Sequence, residues 1–202
     1  MSLCVRKCWF SPKACVEKCK HLTISCVEKC KAMKRKIYKQ LVDWKNREQH
    51  KPLILNGVRQ CGKTYILKEF GRNEFDNLAY ISCDRNEILH AIYAGDFDTA
   101  RIIRGLSALT GVDIIPGKTL IFLDEVQTFP QALEALKYFC EDAPEYHIVV
   151  AGSLLGVALH AGISFPVGKV QSMRLFPMDF EEFLMAMGED QLLCLMHNKD
   201  YG

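Results

Sequence analysis

The sequence predicts an α/β fold of three layers, with helices on both faces of a mostly parallel β-sheet. Two observations support this prediction. Short apolar segments typical of strands alternate along the chain with longer segments of helical periodicity. One of the short segments, "TLIFLDE", is apolar up to its closing carboxylates, as expected for a strand covered on both faces. With 202 residues, of which 49% are hydrophobic, the chain is long enough to bury such a core.

The elements of this fold are placed in order from Met33. Residues 33–49 are predicted to form an amphipathic helix, because Ile37, Leu41 and Trp44 recur at helical spacing. The strands are predicted at residues 51–57, 77–83, 119–125, 146–153 and 170–178. The helices that follow the strands are predicted from Gly62 to a glycine cap at Gly71, and over residues 86–94, 97–110 and 129–142.

The stretch "NGVRQCGKTYIL" has the spacing G-x-x-x-x-G-K-T, which is typical of a phosphate-binding loop. It lies between a predicted strand and a predicted helix N-terminus, where backbone N–H groups converge on phosphate oxygens. We expect Lys63 to be exposed there and to bind the β- and γ-phosphates of ATP, and the Thr64 hydroxyl to bind Mg²⁺. The predicted ATP-binding residues are Gly57, Val58, Arg59, Gln60, Cys61, Gly62, Lys63, Thr64, Tyr65 and Asp124.

A pair of carboxylates, Asp124 and Glu125, ends the apolar strand in "LIFLDEVQ". Ligands bind at the carboxyl ends of parallel strands in α/β sheets, so Asp124 is predicted to bind Mg²⁺ together with Thr64. Glu125 is predicted to be catalytic, by polarising the attacking water. A solvated turn is the alternative interpretation of this pair.

Two further polar residues have open interpretations. Ser153 ends the predicted strand in "VVAGS", where it either contacts the γ-phosphate or attacking water as a second catalytic residue, or caps a helix that begins at Leu154. Arg59, inside the loop, either contacts phosphate or pairs with a neighbouring carboxylate. The residues alone do not decide between these roles.

The first 32 residues hold six of the ten cysteines in three units, "CVRKC", "CVEKC" and "CVEKC", which begin eleven residues apart. Cysteines four residues apart share one helix face and are able to chelate a soft metal, but Pro12 breaks any single helix across the units. Three interpretations stay open: a functionless extension before a true start at Met33, a metal or redox segment, and a partner-binding helix. The other cysteines are predicted to be small core residues, at positions 61, 83, 140 and 194.

Charge is distributed unevenly along the chain. Residues 1–51 carry fourteen Lys and Arg against four Asp and Glu, whereas residues 52–202 carry twelve against twenty. A basic arm on an acidic body makes nucleic acid or a partner protein a candidate ligand beside ATP, and a solvated helix face is the alternative. No signal peptide is predicted, because the first 32 residues hold no apolar run of sufficient length. No membrane span is predicted either, because glycine, proline and polar residues interrupt the uncharged segment 148–168. The expected compartment is the cytoplasm.

From Met33 to about Leu184 the chain resembles the prokaryotic AAA-superfamily ATP-binding proteins with an AAA domain of type 14. Four stretches are similar to that family's phosphate loop, acidic motif, sensor segment and signature after the fifth strand: "NGVRQCGKT", "LIFLDEVQ", "VVAGS" and "LFPMDFEEFL". The resemblance implies a sheet ordered 5-1-4-3-2, hydrolysis of ATP with Mg²⁺, and a sensor role for Ser153. Gly168-Lys169 stands where family members often have Gly-Arg, so no arginine finger is assigned, and Arg174 is a weak substitute.

The predicted organisation has three parts. Residues 1–32 are the extension and residues 33–176 the ATPase domain. Residues 177–202 are the helical start of a truncated region that the family typically continues into a second domain. The leading hypothesis is an ATPase. The alternatives are a nucleotide-gated module that binds nucleic acid or protein with little turnover, and a truncated remnant without function. The sequence leaves the oligomeric state and the process coupled to hydrolysis open.

Overall fold

The computed structural model describes residues 35–153 and 168–198. Its strands are β1 (Leu53–Gly57), β2 (Asn77–Ser82), β3 (Thr119–Asp124), β4 (His147–Gly152) and β5 (Gln171–Leu175). Its helices are α1 (Ile37–Lys45), α2 (Lys63–Glu74), α3 (Glu87–Ile92), α4 (Thr99–Thr110), α5 (Pro130–Asp142), α6 (Phe180–Met187) and α7 (Asp190–Asn198), with a 3₁₀ turn at Val126–Thr128. The cysteine repeat and residues 154–167 lie outside the described residues, so what was predicted for them stays a prediction.

In the described part of the chain, five strands form one sheet in the order β2-β3-β4-β1-β5, and every neighbouring pair is parallel. This confirms the three-layer α/β prediction and the order 5-1-4-3-2. β1 lies between β4 and β5, so that Leu53 faces Val149 on one side and Gln171 on the other. Strands that are distant in the sequence thereby become neighbours in the sheet.

Among the described residues, two apolar clusters form the core, one on each face of the sheet. Successive residues of a strand point to opposite faces. Ile121 and Leu123 of β3 belong to the cluster that includes α4 and α5, whereas Leu120 and Phe122 belong to the cluster that includes α1 and α2. β3 and β4 are buried along their whole length, which explains why their sequences are apolar without alternation.

α1 ends at Lys45, before the predicted residue 49, because the chain turns back after Trp44. The Trp44 side chain is fully buried, and its Nε1–H donates to the Lys51 carbonyl at 2.8 Å. This bond satisfies the buried indole donor and directs the chain from the helix into β1. Ile37 and Leu41 are buried on the same face of α1, as their spacing predicted.

Two histidines stack beside Trp44. The rings of His50 and His147 lie face to face with centroids 3.7 Å apart, and the Trp44 ring meets both edge to face. His147 is 7% exposed, and its Nδ1 has no hydrogen-bond partner in the described part of the chain. Burial, and then the neighbouring charge of His50, lower the pKa of His147 to about 4. Burial also lowers the pKa of His50.

The protein should lose stability as the pH falls from 6.5, the ordinary pKa of histidine, to about 4. In this window the unfolded chain binds a proton at position 147 that the folded chain does not, so protonation favours unfolding. We expect His147→Phe, which keeps an aromatic ring, to flatten the pH dependence of the free energy of unfolding by on the order of 1–2 kcal/mol between about pH 7 and pH 5. Urea denaturation at both pH values measures the difference. The control, His90→Phe at an exposed histidine, should keep the wild-type slope, and the same slope in His147→Phe would contradict the prediction.

Gly71 lies inside α2, so the prediction that it caps the helix is wrong. The helix continues to Glu74, and its cap residue is Phe75, in an extended conformation. A Cβ at Gly71 would lie 2.7 Å from Leu78 Cδ1 and 3.1 Å from Leu120 Cδ2. The glycine therefore allows close packing of α2 on β2 and β3, a requirement that capping rules do not contain.

The described residues divide into two compact units. One is residues 37–177, which hold the sheet, and the other is residues 35–36 together with 178–198. In the second unit α6 begins with a capping box, in which Asp179 accepts from the Glu182 N–H at 2.8 Å and Glu182 accepts from the Asp179 N–H at 3.3 Å. The buried Glu182 also pairs with Arg35, with 3.0 Å between Oε2 and Nε. The predicted domain bounds stay predictions.

The cysteines after the repeat differ in burial. Cys61 and Cys83 are buried, as predicted, and Cys140 is half-buried. Cys194 on α7 is exposed, so the prediction of a core residue is wrong there. The neighbouring Leu193 occupies the buried face of the helix, and the next residue of a helix points about 100° away from it.

The uncharged segment 148–168 begins as a strand. Residues 147–152 form β4, and residues 154–167 are not among those described. None of the helices in the described ranges is both long and apolar enough to cross a membrane.

Candidate functional site

The carboxyl ends of β1, β4 and β3 bring the predicted site residues to one edge of the sheet. These strands are parallel and adjacent in that order. The loop after Gly57, Ser153 after β4 and Glu125 after β3 therefore lie along the same edge. This edge is the usual ligand site of a parallel α/β sheet.

Gly57 lets the loop leave β1 in close contact with β5. A Cβ at this position would lie 2.5 Å from the Leu175 carbonyl oxygen and 2.9 Å from Cys61 Sγ. The Cys61 thiol is itself buried, 3.7 Å from the same carbonyl oxygen. Gly57 and the Cys61 side chain thus pack the loop onto the sheet.

The next part of the loop exposes its side chains and turns through left-handed backbone conformations. Gln60 has φ 62° and Gly62 has φ 92°. Val58, Arg59 and Gln60 are exposed. α2 begins after Gly62 without a side-chain cap and without an acidic residue in its first turn. Its first N–H groups are therefore suited to an anion.

Lys63 is buried, contrary to the expectation that it is exposed. Its residue exposure is 7%, and its ammonium group donates to the carbonyl oxygens of Gly57 at 2.9 Å and of Val58 at 2.8 Å. The lysine folds back because an ammonium group needs acceptors and the loop turns two carbonyl groups toward it. The positive charge is thereby held inside the loop.

Thr64, in the first turn of α2, contacts Asp124 at the end of β3. Its hydroxyl donates to Asp124 Oδ2 at 2.7 Å. Asp124 is 4% exposed, and its Oδ1 accepts from the Glu125 N–H at 3.0 Å. Both carboxylate oxygens are thus oriented. A hydroxyl and a carboxylate side by side are the hard oxygen donors that Mg²⁺ prefers, so these residues fit the ion.

Glu125 has a left-handed backbone conformation, with φ 54° and ψ 40°. Such a conformation costs a residue other than glycine on the order of 1–2 kcal/mol. Strain of this kind persists where neighbouring contacts over-determine it, and it is frequent at functional sites. The half-buried carboxylate accepts a hydrogen bond at Oε2 from Gln127 Nε2.

Ser153 is half-buried at the end of β4. Its N–H group donates to Gln127 Oε1 at 3.3 Å. A helix from Leu154 would lie outside the described residues, so the capping and nucleotide interpretations of Ser153 both stay open. This hydrogen bond nevertheless connects the Ser153 backbone to the 3₁₀ turn that follows β3.

The other residues considered from the sequence lie at exposed positions or have partners of their own. Arg59 is exposed and Tyr65 is 38% exposed, and both roles considered for Arg59 stay open. Lys169, where the resemblance expects an arginine, pairs with Glu141 at 3.0 Å. The Arg174 guanidinium lies over the Phe176 ring, 5.1 Å from the centroid. Neither Lys169 nor Arg174 is assigned as an arginine finger.

Tyr80 on β2 extends the site, and the sequence analysis missed it. Its hydroxyl donates to Asp124 Oδ2 at 3.4 Å, and the Lys68 ammonium lies 3.4 Å from its ring centroid. Burial, and then the charge of Asp124, raise the pKa of Tyr80, so the phenol stays a donor. Burial lowers the pKa of Lys68. Gln127 was missed as well, although it follows Glu125 by two residues in the motif "LDEVQ".

Comparisons with known proteins found similarity to one family model and to solved structures. The family model AAA_14, described as an AAA domain, matches residues 49–184. Among solved structures, that of the Aeropyrum pernix Orc1 protein in complex with DNA is similar, with a TM-score of 0.45 and 16% identity. The match covers 77% of this chain and 48% of that chain, so this chain spans about half the length of that protein. A search among curated proteins finds no match.

Proposed function

The chain belongs to the AAA domain family, and on that premise we propose that it binds ATP with Mg²⁺ and hydrolyses it to ADP and phosphate. The observation that supports the proposal most directly is the 2.7 Å contact between Thr64 and Asp124. A glycine-rich loop alone suits many anions. The hydroxyl–carboxylate pair at the start of α2 adds a place for a cation, so the site combines what a metal–nucleotide complex needs.

The loop residues bind the phosphates in this proposal. N–H groups at the start of α2 donate to phosphate oxygens, and the helix dipole favours the negative charge. The Lys63 ammonium exchanges the carbonyl oxygens of Gly57 and Val58 for oxygens of the β- and γ-phosphates. Hydrogen bonds between two charged groups then replace bonds to neutral carbonyls, which favours the exchange.

Thr64 and Asp124 are the residues that would hold Mg²⁺. The ion, when bound, neutralises part of the charge that develops on the phosphates. The Glu125 N–H orients one oxygen of Asp124, and the Tyr80 hydroxyl lies 3.4 Å from the other. Such supporting hydrogen bonds keep a metal-binding carboxylate in position.

Glu125 acts on the water in the proposed reaction. Its carboxylate accepts a hydrogen bond from the water and orients the water oxygen toward the γ-phosphorus. A bond forms from that oxygen to phosphorus while the bond from phosphorus to the β-phosphate oxygen breaks, and the water proton passes to the Glu125 carboxylate, which yields ADP and phosphate. We assign Ser153, at the end of the adjacent strand, to contact with the γ-phosphate or the same water.

Thr64→Ala should weaken binding of ATP in the presence of Mg²⁺ by about tenfold or more, because it removes one of the two oxygen ligands. Thr64→Ser keeps the hydroxyl and should bind as the wild type does. In EDTA all three proteins should have similar, weak affinity. Titration of a fluorescent ATP analogue with Mg²⁺ and with EDTA measures this, and phosphate release is followed in the same samples.

Two outcomes of this experiment would count against the proposal. Equal affinity of the alanine and serine variants in Mg²⁺ would remove Thr64 from the metal site. A wild-type chain that binds no ATP under either condition would contradict the proposed function itself.

A further inference from the structure

One carboxamide joins the two predicted catalytic residues. Gln127, in the 3₁₀ turn after β3, donates from Nε2 to Glu125 Oε2 and accepts at Oε1 from the Ser153 N–H at 3.3 Å. These partners define the orientation of the amide, because an ionised carboxylate only accepts and a backbone N–H only donates. Glutamine supplies both a donor for Glu125 and an acceptor for the Ser153 N–H. Glutamate lacks the donor, and leucine lacks both.

The core holds the backbone of Gln127 in place. Val126 and Phe129, on either side of it, are 0% and 1% exposed. The N–H and the hydroxyl of Thr128 donate to the Glu125 carbonyl, at 3.1 Å and 2.8 Å. The turn that carries Gln127 is thus held at both ends. The half-buried Gln127 side chain extends from this fixed backbone to Glu125 and Ser153.

We propose that Gln127 is a positioning residue for ATP hydrolysis, which holds the Glu125 carboxylate in place and ties it to the end of β4. The inference rests on the function proposed above for Glu125. A glutamate side chain has three rotatable bonds, and a free carboxylate would meet the water in the productive orientation for only part of the time. The hydrogen bond from Gln127 removes much of this freedom. Its loss should slow hydrolysis without weakening the binding of ATP.

The bond to Ser153 connects Glu125 to the phosphate side of the site. Ser153 follows β4, which lies between β3 and the loop-bearing β1. A shift of Ser153 on contact with the nucleotide would move the acceptor oxygen of Gln127, and with it the donor that holds Glu125. Gln127 thereby couples the position of the carboxylate to the end of β4.

A double-variant cycle with Glu125→Gln tests this role. Phosphate release is measured under steady-state and single-turnover conditions for the wild type, Gln127→Leu, Glu125→Gln and the double variant. We expect Gln127→Leu to lower kcat about tenfold and to change KM less than about twofold. With Glu125→Gln already present, Gln127→Leu should change the residual rate less than about twofold, because no carboxylate remains to be positioned.

Gln127→Glu separates the two halves of the bridge. It has the same length and keeps an acceptor for the Ser153 N–H, but it removes the donor and places a second negative charge against Glu125. We expect kcat to fall at least as far as in Gln127→Leu. This near-isosteric variant also decides the matter if the leucine variant does not fold. Gln131→Leu, at an exposed glutamine in the first turn of α5, is the control and should keep the wild-type rate.

Each outcome supports or overturns the inference. A wild-type rate in both Gln127 variants overturns it, and so does an equal loss with and without the Glu125 carboxylate, which is the result of a merely structural role. In both cases wild-type turnover is observed and the proposed function stands. A wild type that binds ATP without hydrolysing it overturns the proposed hydrolysis, and this inference with it.

Discussion

Lys63→Ala is expected to lower the affinity for Mg·ATP by at least about a hundredfold, because it removes the positive charge that we propose binds the β- and γ-phosphates. The position of Lys63 supports this expectation, since the carbonyl oxygens of Gly57 and Val58 hold the ammonium group inside the loop. Isothermal titration measures the affinity directly. Thermal denaturation gives a second readout, because ATP at a hundred times its dissociation constant adds about 2.7 kcal/mol to the stability of a protein that binds it.

The same variant needs a check on folding, because Lys63 is 7% exposed. Alanine leaves the two loop carbonyl groups without their ammonium donor, so a modest loss of stability is expected in the absence of nucleotide. Far-UV circular dichroism should remain that of the wild type. Lys39→Ala, at an exposed lysine of α1, is the matched control and should bind ATP normally. Unchanged affinity in Lys63→Ala would remove the loop from consideration as a phosphate site.

Glu125→Gln is expected to lower kcat by about a hundredfold or more while ATP binding is kept. The amide has the shape of the carboxylate, so the left-handed turn and the space around the side chain are preserved. It carries no negative charge, however, and polarises a water molecule much less. Phosphate release at saturating ATP measures the rate, and titration of the ATP analogue measures the affinity of the same protein.

Glu145→Gln, at an exposed carboxylate in the loop before β4, serves as the control for Glu125→Gln and should hydrolyse ATP at the wild-type rate. If Glu125→Gln also hydrolyses ATP at that rate, Glu125 is a turn residue and the proposed mechanism is wrong. A loss of binding together with hydrolysis would instead assign Glu125 to the nucleotide-binding contacts.

The sequence predicted well those parts of the fold whose structure depends on residues close together in the chain. β3 and β4 are buried along their whole length, so their residues are almost all apolar, and each strand was recognisable as an apolar run in the sequence. Gly62 has φ 92°, a conformation that glycine adopts freely, so its place before Lys63 reflects a local backbone requirement. α1 was visible from the spacing of its buried residues, although its end depended on the contact of Trp44 with Lys51.

One wrong prediction, at Gly71, and one missed residue, Tyr80, depend on contacts with residues of other elements. Gly71 looks like a helix cap in its own segment, and only the approach of Leu78 and Leu120 shows why glycine is needed inside the helix. Tyr80 is an ordinary strand residue until β2 pairs with β3 and brings its hydroxyl toward Asp124.

The sequence by itself determined the strand and helix segments and the residue types at the phosphate loop, because periodicity, burial and backbone conformation are largely local properties. The order of the strands was different, since an apolar run reports how deeply a strand is buried and does not report which strand lies beside it. That order came from the family resemblance, and the tertiary structure decided it. Only the folded sheet places β4 between β1 and β3 and lets Thr64 reach Asp124 at 2.7 Å, a contact between residues that no local pattern connects.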